Sequence, residues 1–393
     1  MIKKIIPLTL GGLAIGTTEF VIMGLLPDIA HTLNISIPKA GHFISAYALG
    51  VVIGAPLLVA LSSKFPPKKI LMALMAIFII FNGISALMPD YYSFLGARFF
   101  SGLPHGAFFG VGSVVAKNLA PPEKQGIAIS GMFSGLTVAN LAMVPLVTFI
   151  GHEFSWRIAF GVVSFLGFVT MVSIFYWLPV MKPLSKGNIL EDMKFFKTPV
   201  ALFLLLIVAV GFGGLFSWFS YITPLMTQVS HFEPSKIPSI MILAGFGMLI
   251  GNFLGGWMAD KMRPALASTI LFAFFIVLLV LVFLYSGDQK TSLILTFFCG
   301  MLSMSVGSPI NIIMIRAAKK SEMLGAAFMQ AAFNVANSIG AYIGGIPLER
   351  GYGYEYPALV GAIMAFFGML LCIVFMYRFK PFTQKISNDQ SYT

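Results

Sequence analysis

The sequence contains few charged residues. Asp, Glu, Lys and Arg make up 10% of its 393 residues, whereas an ordinary soluble domain is about 25% charged. Hydrophobic residues make up 58% of the chain. Because a water-soluble globule cannot hide that much apolar surface, the composition excludes a soluble protein and predicts one that lies within a membrane.

The sequence is also poor in cysteine, and it lacks the usual motifs of metal and nucleotide chemistry. Cys299 and Cys372 both lie in apolar runs, which do not suggest a disulfide framework. No cluster of His, Cys and carboxylate residues has the spacing of zinc ligands, and no Gly-x-x-x-x-Gly-Lys-Ser/Thr loop is present. No polar segment is long enough for a nucleotide-binding domain. We therefore expect no redox chemistry, no cofactor and no ATP-driven pump.

Long stretches without Asp, Glu, Lys or Arg recur along the whole chain. About 20 apolar residues cross a bilayer as a helix, and eleven charge-free runs of that kind lie between Lys39 and Arg378. A first apolar stretch, residues 5–27, adds one more. It follows two lysines as a signal peptide does, but it is too long and has no small-x-small cleavage site, so we expect an uncleaved helix. The sequence thus predicts an all-α membrane protein with twelve transmembrane helices.

The basic residues are distributed unevenly between the predicted loops. The net charge of +11 is compatible with a nucleic-acid partner. If the amino terminus is cytoplasmic, however, nineteen of the 25 Lys and Arg residues fall on the cytoplasmic side and Arg98 falls within a helix. The outer loops hold five: Lys39, Arg157, Lys236, Lys290 and Arg350. This bias follows the positive-inside rule. It predicts cytoplasmic amino and carboxyl termini, a place in the cell inner membrane and no nucleic-acid partner.

The longest polar interruption separates the sixth predicted helix from the seventh. We expect an N-terminal six-helix bundle at 1–181, a cytoplasmic linker at 182–198, a C-terminal six-helix bundle at 199–380 and a polar cytoplasmic tail at 381–393. The two bundles share a repeat at an offset of 197 residues. The matching positions are Gly50 and Gly247, Gly54 and Gly251, Lys64 and Lys261, and the segments 138–140 and 335–337.

An offset that spans six helices, an even number, inserts both halves in the same direction. Parallel six-helix repeats related by an axis along the membrane normal are one known arrangement of secondary transporters. In it, the substrate site lies between the halves near the bilayer midplane.

Several segments resemble a known family. Residues 18–30, Thr-Glu-Phe-Val-Ile-Met-Gly-Leu-Leu-Pro-Asp-Ile-Ala, are similar to the arabinose-efflux-permease-like branch of the twelve-helix drug:proton antiporter family, in the major facilitator superfamily. The segments 104–112, 154–157 and 218–221 extend this resemblance over both halves. It implies a monomeric secondary transporter that exports a small molecule, a sugar such as arabinose or a drug-like compound, by alternating access and in exchange for protons. Its other partners would be membrane lipids.

Other functions stay open at the level of the sequence. The same architecture also serves proton-coupled uptake and facilitated transport of small solutes. A membrane sensor that transports nothing is the alternative from outside transport, and an intramembrane enzyme is a more remote one. We expect no enzyme activity, and measured solute flux would separate a transporter from a sensor.

Two loops resemble the superfamily's Asp-Arg-x-Gly-Arg-Arg motif. The loop at 63–69 contains Lys64 and Lys68, but Ser63 stands where the motif has Asp. Its counterpart in the second half contains Asp260 and Lys261 and therefore keeps the acidic residue. The resemblance implies a role in gating for Lys64, Lys68, Asp260 and Lys261, with a charge latch that is complete only in the second half.

Glu19 is the one acidic residue inside a predicted apolar span, where an ionisable group is costly unless it is paired or functional. Residues 98–106 resemble the motif Arg-x-x-x-Gly-x-x-x-Gly, which is associated with proton coupling in this superfamily. Glu19 and Arg98 lie about 12 and 9 Å from the outer ends of their helices, so they can form an ion pair. We predict Glu19, Arg98 and His105 as proton-coupling residues. A purely structural ion pair, and a His105 that satisfies a backbone group, are the alternatives.

Polar and aromatic residues in the second half are candidates for substrate binding. Gln330, Asn334 and Ser338 recur at four-residue spacing and therefore share one helix face, which suits a wet cavity. Trp218 and Tyr221 can stack on sugars or drugs, and Asn140 joins these candidates through the repeat. The alternatives are hydrogen bonds between helices, worth about 1 kcal/mol each, and aromatic residues of the interfacial belts.

Overall fold

The computed structural model describes residues 2–62, 65–121, 124–183, 197–317 and 322–380. The first half contains six long helices. They are α1 (Ile2–Gly24), α2 (Ile37–Ser62), α3 (Pro67–Leu87), α4 (Tyr91–Leu119), α5 (Gln125–Val138 and Val144–Glu153, joined by a π-helical turn at Ala139–Met143) and α6 (Trp156–Trp177).

Six further helices form the second half. They are α7 (Pro199–Gly211 and Gly213–Phe219), α8 (Ile237–Lys261), α9 (Pro264–Tyr285), α10 (Gln289–Ser305 and Gly307–Ala317), α11 (Glu322–Glu349) and α12 (Tyr356–Arg378). Within the described ranges, eleven of the twelve are long and apolar enough to cross a membrane. The remaining helix, α11, has 28 residues and several amide side chains. The prediction of an all-α membrane protein with twelve helices is confirmed.

The fourth helix of each half begins with an aspartate N-cap. The carboxylate of Asp90 accepts hydrogen bonds from the backbone N–H groups of Tyr92 and Ser93 at the start of α4. Asp288 accepts one from Thr291 at the start of α10. Both caps satisfy N–H groups that the first turn of a helix leaves unpaired. Hydroxyl donors, Ser93 on Asp90 and Thr291 on Asp288, hold the pKa of each carboxyl below its ordinary value, so both caps stay ionised at neutral pH.

The repeat is visible in the helix packing. In the first half, Gly50 and Gly54 of α2 lie directly against the backbone of α4, where Gly54 meets Leu103. In the second half, Gly247 and Gly251 of α8 lie in the same way against α10. Because glycine has no side chain, each helix pair approaches until backbone touches backbone, as small residues allow in membranes. The glycine matches found in the sequence therefore mark equivalent helix crossings.

The two halves meet in the outer part of the membrane-spanning region, on the side that the charge pattern places outside. Ser45 Oγ of α2 donates to the carbonyl oxygen of Ser338 in α11 at 2.9 Å, and Ser338 Oγ donates to that of Ser45 at 3.4 Å. Beyond the end of α7, Thr223 Oγ1 lies 3.1 and 3.2 Å from the carbonyl oxygens of Met23 and Gly24 in α1. These contacts close the outer side of the protein.

The predicted division into bundles, linker and tail stays a prediction. Most of the linker, residues 184–196, and the whole tail, 381–393, lie outside the described residues.

Candidate functional site

Glu19 lies at the junction of the two halves. Its side chain is 2% exposed on α1, and its Oε1 atom accepts a hydrogen bond of 3.5 Å from Nδ2 of Asn337 on α11. The two residues are 318 positions apart in the chain, so this contact joins the first half to the second. The carboxylate predicted from the sequence is therefore buried and bound to a neutral amide of the opposite half.

Arg98 is fully buried on α4, where it binds the residue that precedes Glu19. Its Nη1 donates to Thr18 Oγ1 at 3.1 Å and its Nη2 donates to the carbonyl oxygen of Thr18 at 3.3 Å. No salt bridge joins it to Glu19 among the described residues, so the direct ion pair expected from their depths does not form. Successive residues of a helix point about 100° apart, so Thr18 faces α4 while Glu19 faces α11.

Two aromatic rings flank the guanidinium of Arg98. Its Cζ atom lies 4.4 Å from the centre of the Tyr47 ring and 5.3 Å from that of the Phe160 ring. Cations are attracted to the faces of such rings, more strongly when water is excluded. Arg98 is therefore held by Thr18 and by these rings, without a carboxylate.

Tyr47 connects Arg98 to His105. The phenolic oxygen of Tyr47 lies 3.1 Å from Nδ1 of His105, while its ring packs on the guanidinium. His105 is buried, and its Nε2 atom has no hydrogen-bond partner among the described residues. The structure thus brings the predicted residues Arg98 and His105 together through Tyr47, which was not among the residues predicted from the sequence. A usable signal existed, because Tyr47 lies three and seven residues before Gly50 and Gly54 and so shares their face of α2.

Thr18 extends this cluster to the third helix. Its hydroxyl donates to Oδ1 of Asn82 at 2.6 Å, and Asn82 Nδ2 donates to the carbonyl oxygen of Phe78 within α3. The Thr18 hydroxyl therefore accepts from Arg98 and donates to Asn82, which links α4, α1 and α3 in one buried network. Neither Thr18 nor Asn82 stood out in the sequence as a functional residue.

The aromatic candidates of α7 and the turn after it face the protein interior. Trp218 and Tyr221 are each 1% exposed, so they are not lipid-facing residues of an interfacial belt. Tyr221 Oη donates to the carbonyl oxygen of Ala341 in α11 at 2.8 Å. The indole Nε1 of Trp218 has no hydrogen-bond partner in the described part of the chain.

The polar face of α11 is buried at its centre. Asn334 Nδ2 donates to the backbone carbonyl of Gln330 at 3.0 Å, which leaves its Oδ1 without a partner among the described residues. Gln330 is half-buried, and Ser338 takes part in the closure with Ser45. This face of α11 therefore includes Ser338, which joins the halves, and Asn334, whose amide oxygen is an unused acceptor.

Asn140 occupies the π-helical turn of α5. Its Nδ2 donates to the carbonyl oxygen of Leu136 at 3.2 Å, and its backbone packs against Gly245 of α8. Asn140 therefore lies at the junction of the halves, but its amide is bound to its own helix. Asn337, its counterpart in the repeat, is the residue that reaches across to Glu19, and it was not among the residues predicted from the sequence.

The residues of the loop motifs are separated from this cluster. Lys68 Nζ at the start of α3 donates to the carbonyl oxygen of Phe175 near the end of α6, at 2.6 Å. Asp260 and Lys261 lie exposed at the end of α8, and Asp260 has no salt-bridge partner in the described ranges. Lys64 lies outside the described residues. The described residues also contain no group of three or more His, Cys, Asp and Glu side chains placed to hold a metal ion.

Comparison with known proteins assigns this arrangement to a family. The model of the Major Facilitator Superfamily matches residues 8–327. AraJ of Escherichia coli (strain K12), named as a transporter, is 40% identical over 94% of this chain and 94% of its own length. The inner membrane transport protein YdhP of the same strain is 37% identical over 98% of each chain. A protein of Pasteurella multocida (strain Pm70) named as a probable sugar efflux transporter is 25% identical over 98% of this chain and 96% of its own.

Solved structures share the fold. A D-xylose-proton symporter superposes with a TM-score of 0.75 at 17% identity, over 98% of this chain and 99% of the other. A bacterial homologue of the human lysosomal transporter Spinster, in an inward-facing and occupied conformation, gives a TM-score of 0.76 at 13% identity over 98% of both chains.

Proposed function

Since the chain belongs to the Major Facilitator Superfamily, as a multi-pass transporter of small solutes in the bacterial inner membrane and not an enzyme, we propose that it exports its solute in exchange for protons. The proton gradient is then its energy source, and it needs no cofactor. In this proposal Glu19 is the group that takes up and releases the proton. The protein works as a monomer by alternating access.

The burial of Glu19 is the observation that carries this proposal. A carboxylate inside a membrane helix is costly when it is charged and much less so when it is protonated. Burial therefore favours the protonated form of Glu19, and access to water favours its ionisation. Glu19 contacts the opposite half through a neutral amide, and it is not neutralised by a direct salt bridge. It is therefore available to a proton whenever water reaches it. A structural ion pair, the alternative considered from the sequence, would have required Arg98 to bind Glu19 directly.

Arg98 has a supporting role in this mechanism. A positive charge near Glu19 favours the ionised carboxylate, and the hydrogen bonds to Thr18 keep Arg98 in place when Glu19 is neutral. The guanidinium also contacts the ring of Tyr47, and the hydroxyl of Tyr47 contacts His105. Protonation of Glu19 then removes one negative charge, while the contacts of Arg98 with Thr18 and Tyr47 stay in place.

The buried polar atoms support a sugar as the solute. Oδ1 of Asn334 is an acceptor and Nε1 of Trp218 is a donor, and both atoms are buried without hydrogen-bond partners in the described chain. Buried groups of this kind are normally satisfied. A hydroxyl group both donates and accepts, so a polyhydroxylated solute matches both kinds of atom. The name of the Pasteurella relative points to the same solute class and to the same direction.

Flux in proteoliposomes tests the proposal. Vesicles loaded with labelled pentoses, other sugars, nucleosides or cationic drugs are placed in media of different pH. A proton exchanger releases its solute faster when the medium is more acidic than the lumen, because protons then enter as the solute leaves. A proton symporter releases it faster when the lumen is acidic, which would contradict export by exchange. A rate of solute release that is the same with an acidic medium, with an acidic lumen and without a pH difference would contradict proton coupling altogether.

A further inference from the structure

We propose that Asn337 is the positioning residue through which the second half responds to the protonation state of Glu19. In this inference, the amide of Asn337 binds protonated Glu19 with two hydrogen bonds and ionised Glu19 with one. Protonation therefore strengthens the contact between α1 and α11 and favours the conformation that is closed on the outer side. The inference rests on the proposed function, because it takes Glu19 as the group that binds the proton.

The side-chain amide of Asn337 uses only part of its hydrogen-bonding capacity. Its Nδ2 atom donates to Oε1 of Glu19 over a long distance of 3.5 Å, and its Oδ1 atom is buried without a hydrogen-bond partner among the described residues. Both side chains are closed off from solvent, at 0% exposure for Asn337 and 2% for Glu19. The amide thus presents one used donor and one unused acceptor at the carboxyl group.

The two protonation states of Glu19 offer different hydrogen bonds to Asn337. An ionised carboxylate only accepts hydrogen bonds, so it uses the N–H group of Asn337 and leaves the amide oxygen unpaired. A protonated carboxyl has an O–H donor as well. It donates to Oδ1 of Asn337 while its carbonyl oxygen accepts from Nδ2. The proton comes from water and returns to water, and Asn337 itself neither gains nor loses one.

The other polar side chains near Glu19 make their hydrogen bonds to residues other than Glu19. Arg98 on α4 donates to Thr18 and stacks on Tyr47 of α2, and Tyr47 binds His105 of α4. Among the described residues, Asn337 makes the one side-chain hydrogen bond to Glu19. Arg98, Tyr47 and His105 are the titratable groups of this network, and all three belong to the first half. The second half therefore senses the proton through Asn337.

The position of Asn337 connects this contact to the outer closure. The next residue, Ser338, exchanges hydrogen bonds with Ser45 where α11 meets α2. A tighter bond between Asn337 and Glu19 holds α11 in the register that allows this exchange. Asn140, the counterpart of Asn337 in the repeat, instead bonds to Leu136 of its own helix. The asparagine of the second half therefore binds a residue of the opposite half, and its counterpart in the first half does not.

Distances between spin labels on the outer surface test the inference independently of transport. Labels are attached to cysteines that replace Lys39 and Arg350, both exposed at the outer ends of α2 and α11. The buried Cys299 and Cys372 are replaced by Ala. In the wild-type background, we expect acidification to increase the population with short distances. Asn337→Leu, which keeps the volume and removes both hydrogen bonds, is expected to lose this response, and Asn337→Ala carries the same expectation if the Leu variant does not fold.

Two further variants make the result specific. Asn337→Gln restores the amide and is expected to recover part of the response. Ser303→Ala removes a buried hydroxyl that donates to Gly300 within α10, and it is expected to leave the response unchanged.

A wild-type response that survives in Asn337→Leu, or a wild-type protein whose distances ignore pH, would overturn the inference. If the distances respond as expected but no proton-coupled flux is found, the proposed export fails and the inference about Asn337 stands.

Discussion

The guanidinium of Arg98 donates hydrogen bonds to both the hydroxyl and the backbone carbonyl of Thr18, at 3.1 and 3.3 Å. A bond to the backbone fixes the path of α1 against α4, at the residue before the carboxylate. Arg98 therefore positions Glu19 through the chain itself, and it keeps doing so in either protonation state of Glu19.

Replacing Arg98 is expected to destabilise the protein because Thr18 loses two buried hydrogen bonds from a charged donor. We expect Arg98→Ala to lower the free energy of unfolding by about 3 kcal/mol, from lost charge-assisted hydrogen bonds and ring contacts. Arg98→Lys is expected to recover only part of this, because an ammonium lacks the planar fork. Denaturant unfolding in detergent measures the change. In a double-mutant cycle with Thr18→Val the two losses are expected to be non-additive, and simple addition would show that the residues do not interact.

Glu19→Gln is expected to abolish proton-coupled flux and leave a folded protein. The amide keeps the size of the side chain and a partner for Asn337, but it cannot titrate. Proteoliposome flux under an imposed pH gradient measures the loss, and binding of labelled solute to the purified variant serves as the control for folding. Coupled flux at the wild-type rate would remove Glu19 from the mechanism.

Cysteine labelling checks the orientation that the basic residues predict. Cysteines placed at Met88 and Gly287, in loops predicted to lie outside, are expected to react with a membrane-impermeant reagent in intact cells. Cysteines at positions 190 and 387 are expected to react only after the cells are opened. Gly287 tolerates the change because a Cβ atom there meets nothing within 4 Å. The native Cys299 and Cys372 are buried and give little background. Labelling of position 190 in intact cells would reverse the topology.

The glycine contacts between α8 and α10 predict a steep difference between two neighbouring substitutions. A Cβ atom at Gly251 meets the backbone of Met301, which cannot move without shifting α10, whereas a Cβ atom at Gly256 meets nothing within 4 Å. We expect Gly251→Ala to cost about 1–3 kcal/mol of stability through overpacking, and the matched Gly256→Ala to be nearly neutral. Thermal unfolding of the purified variants compares them. Equal melting temperatures would show that the helices separate at little cost.

The sequence was sufficient for the helices because a membrane imposes a simple rule on the chain. Each span needs about 20 apolar residues, and charged residues are costly within it, so charge-free runs and basic loops mark the spans and their direction. The same rule singled out Glu19. The glycine matches at Gly50 and Gly247 predicted a repeat, and in the structure they mark equivalent helix crossings, because close helix contact requires small residues in both halves.

Side-chain partners could not be predicted in this way. Depth along a helix is readable from the sequence, but the direction of a side chain around the axis depends on how the helices pack. Glu19 and Arg98 have similar depths and still point to different neighbours. Asn337 was visible as the counterpart of Asn140 in the repeat, yet nothing in the sequence indicates that one of them faces a carboxylate and the other its own helix.

The outer closure is built from uncharged groups. Hydroxyls and carbonyl oxygens join Ser45 to Ser338, and the hydroxyl of Thr148 meets the thioether of Met241. The contact between Oδ2 of Asp28 and Nδ1 of His152, at 3.0 Å, lies within the first half and does not join the two halves. Dissolved ions screen exposed charge pairs, but they act weakly on neutral hydrogen bonds. We therefore expect the outer closure to depend little on the ionic strength outside the cell, so that dilute and concentrated surroundings affect it alike.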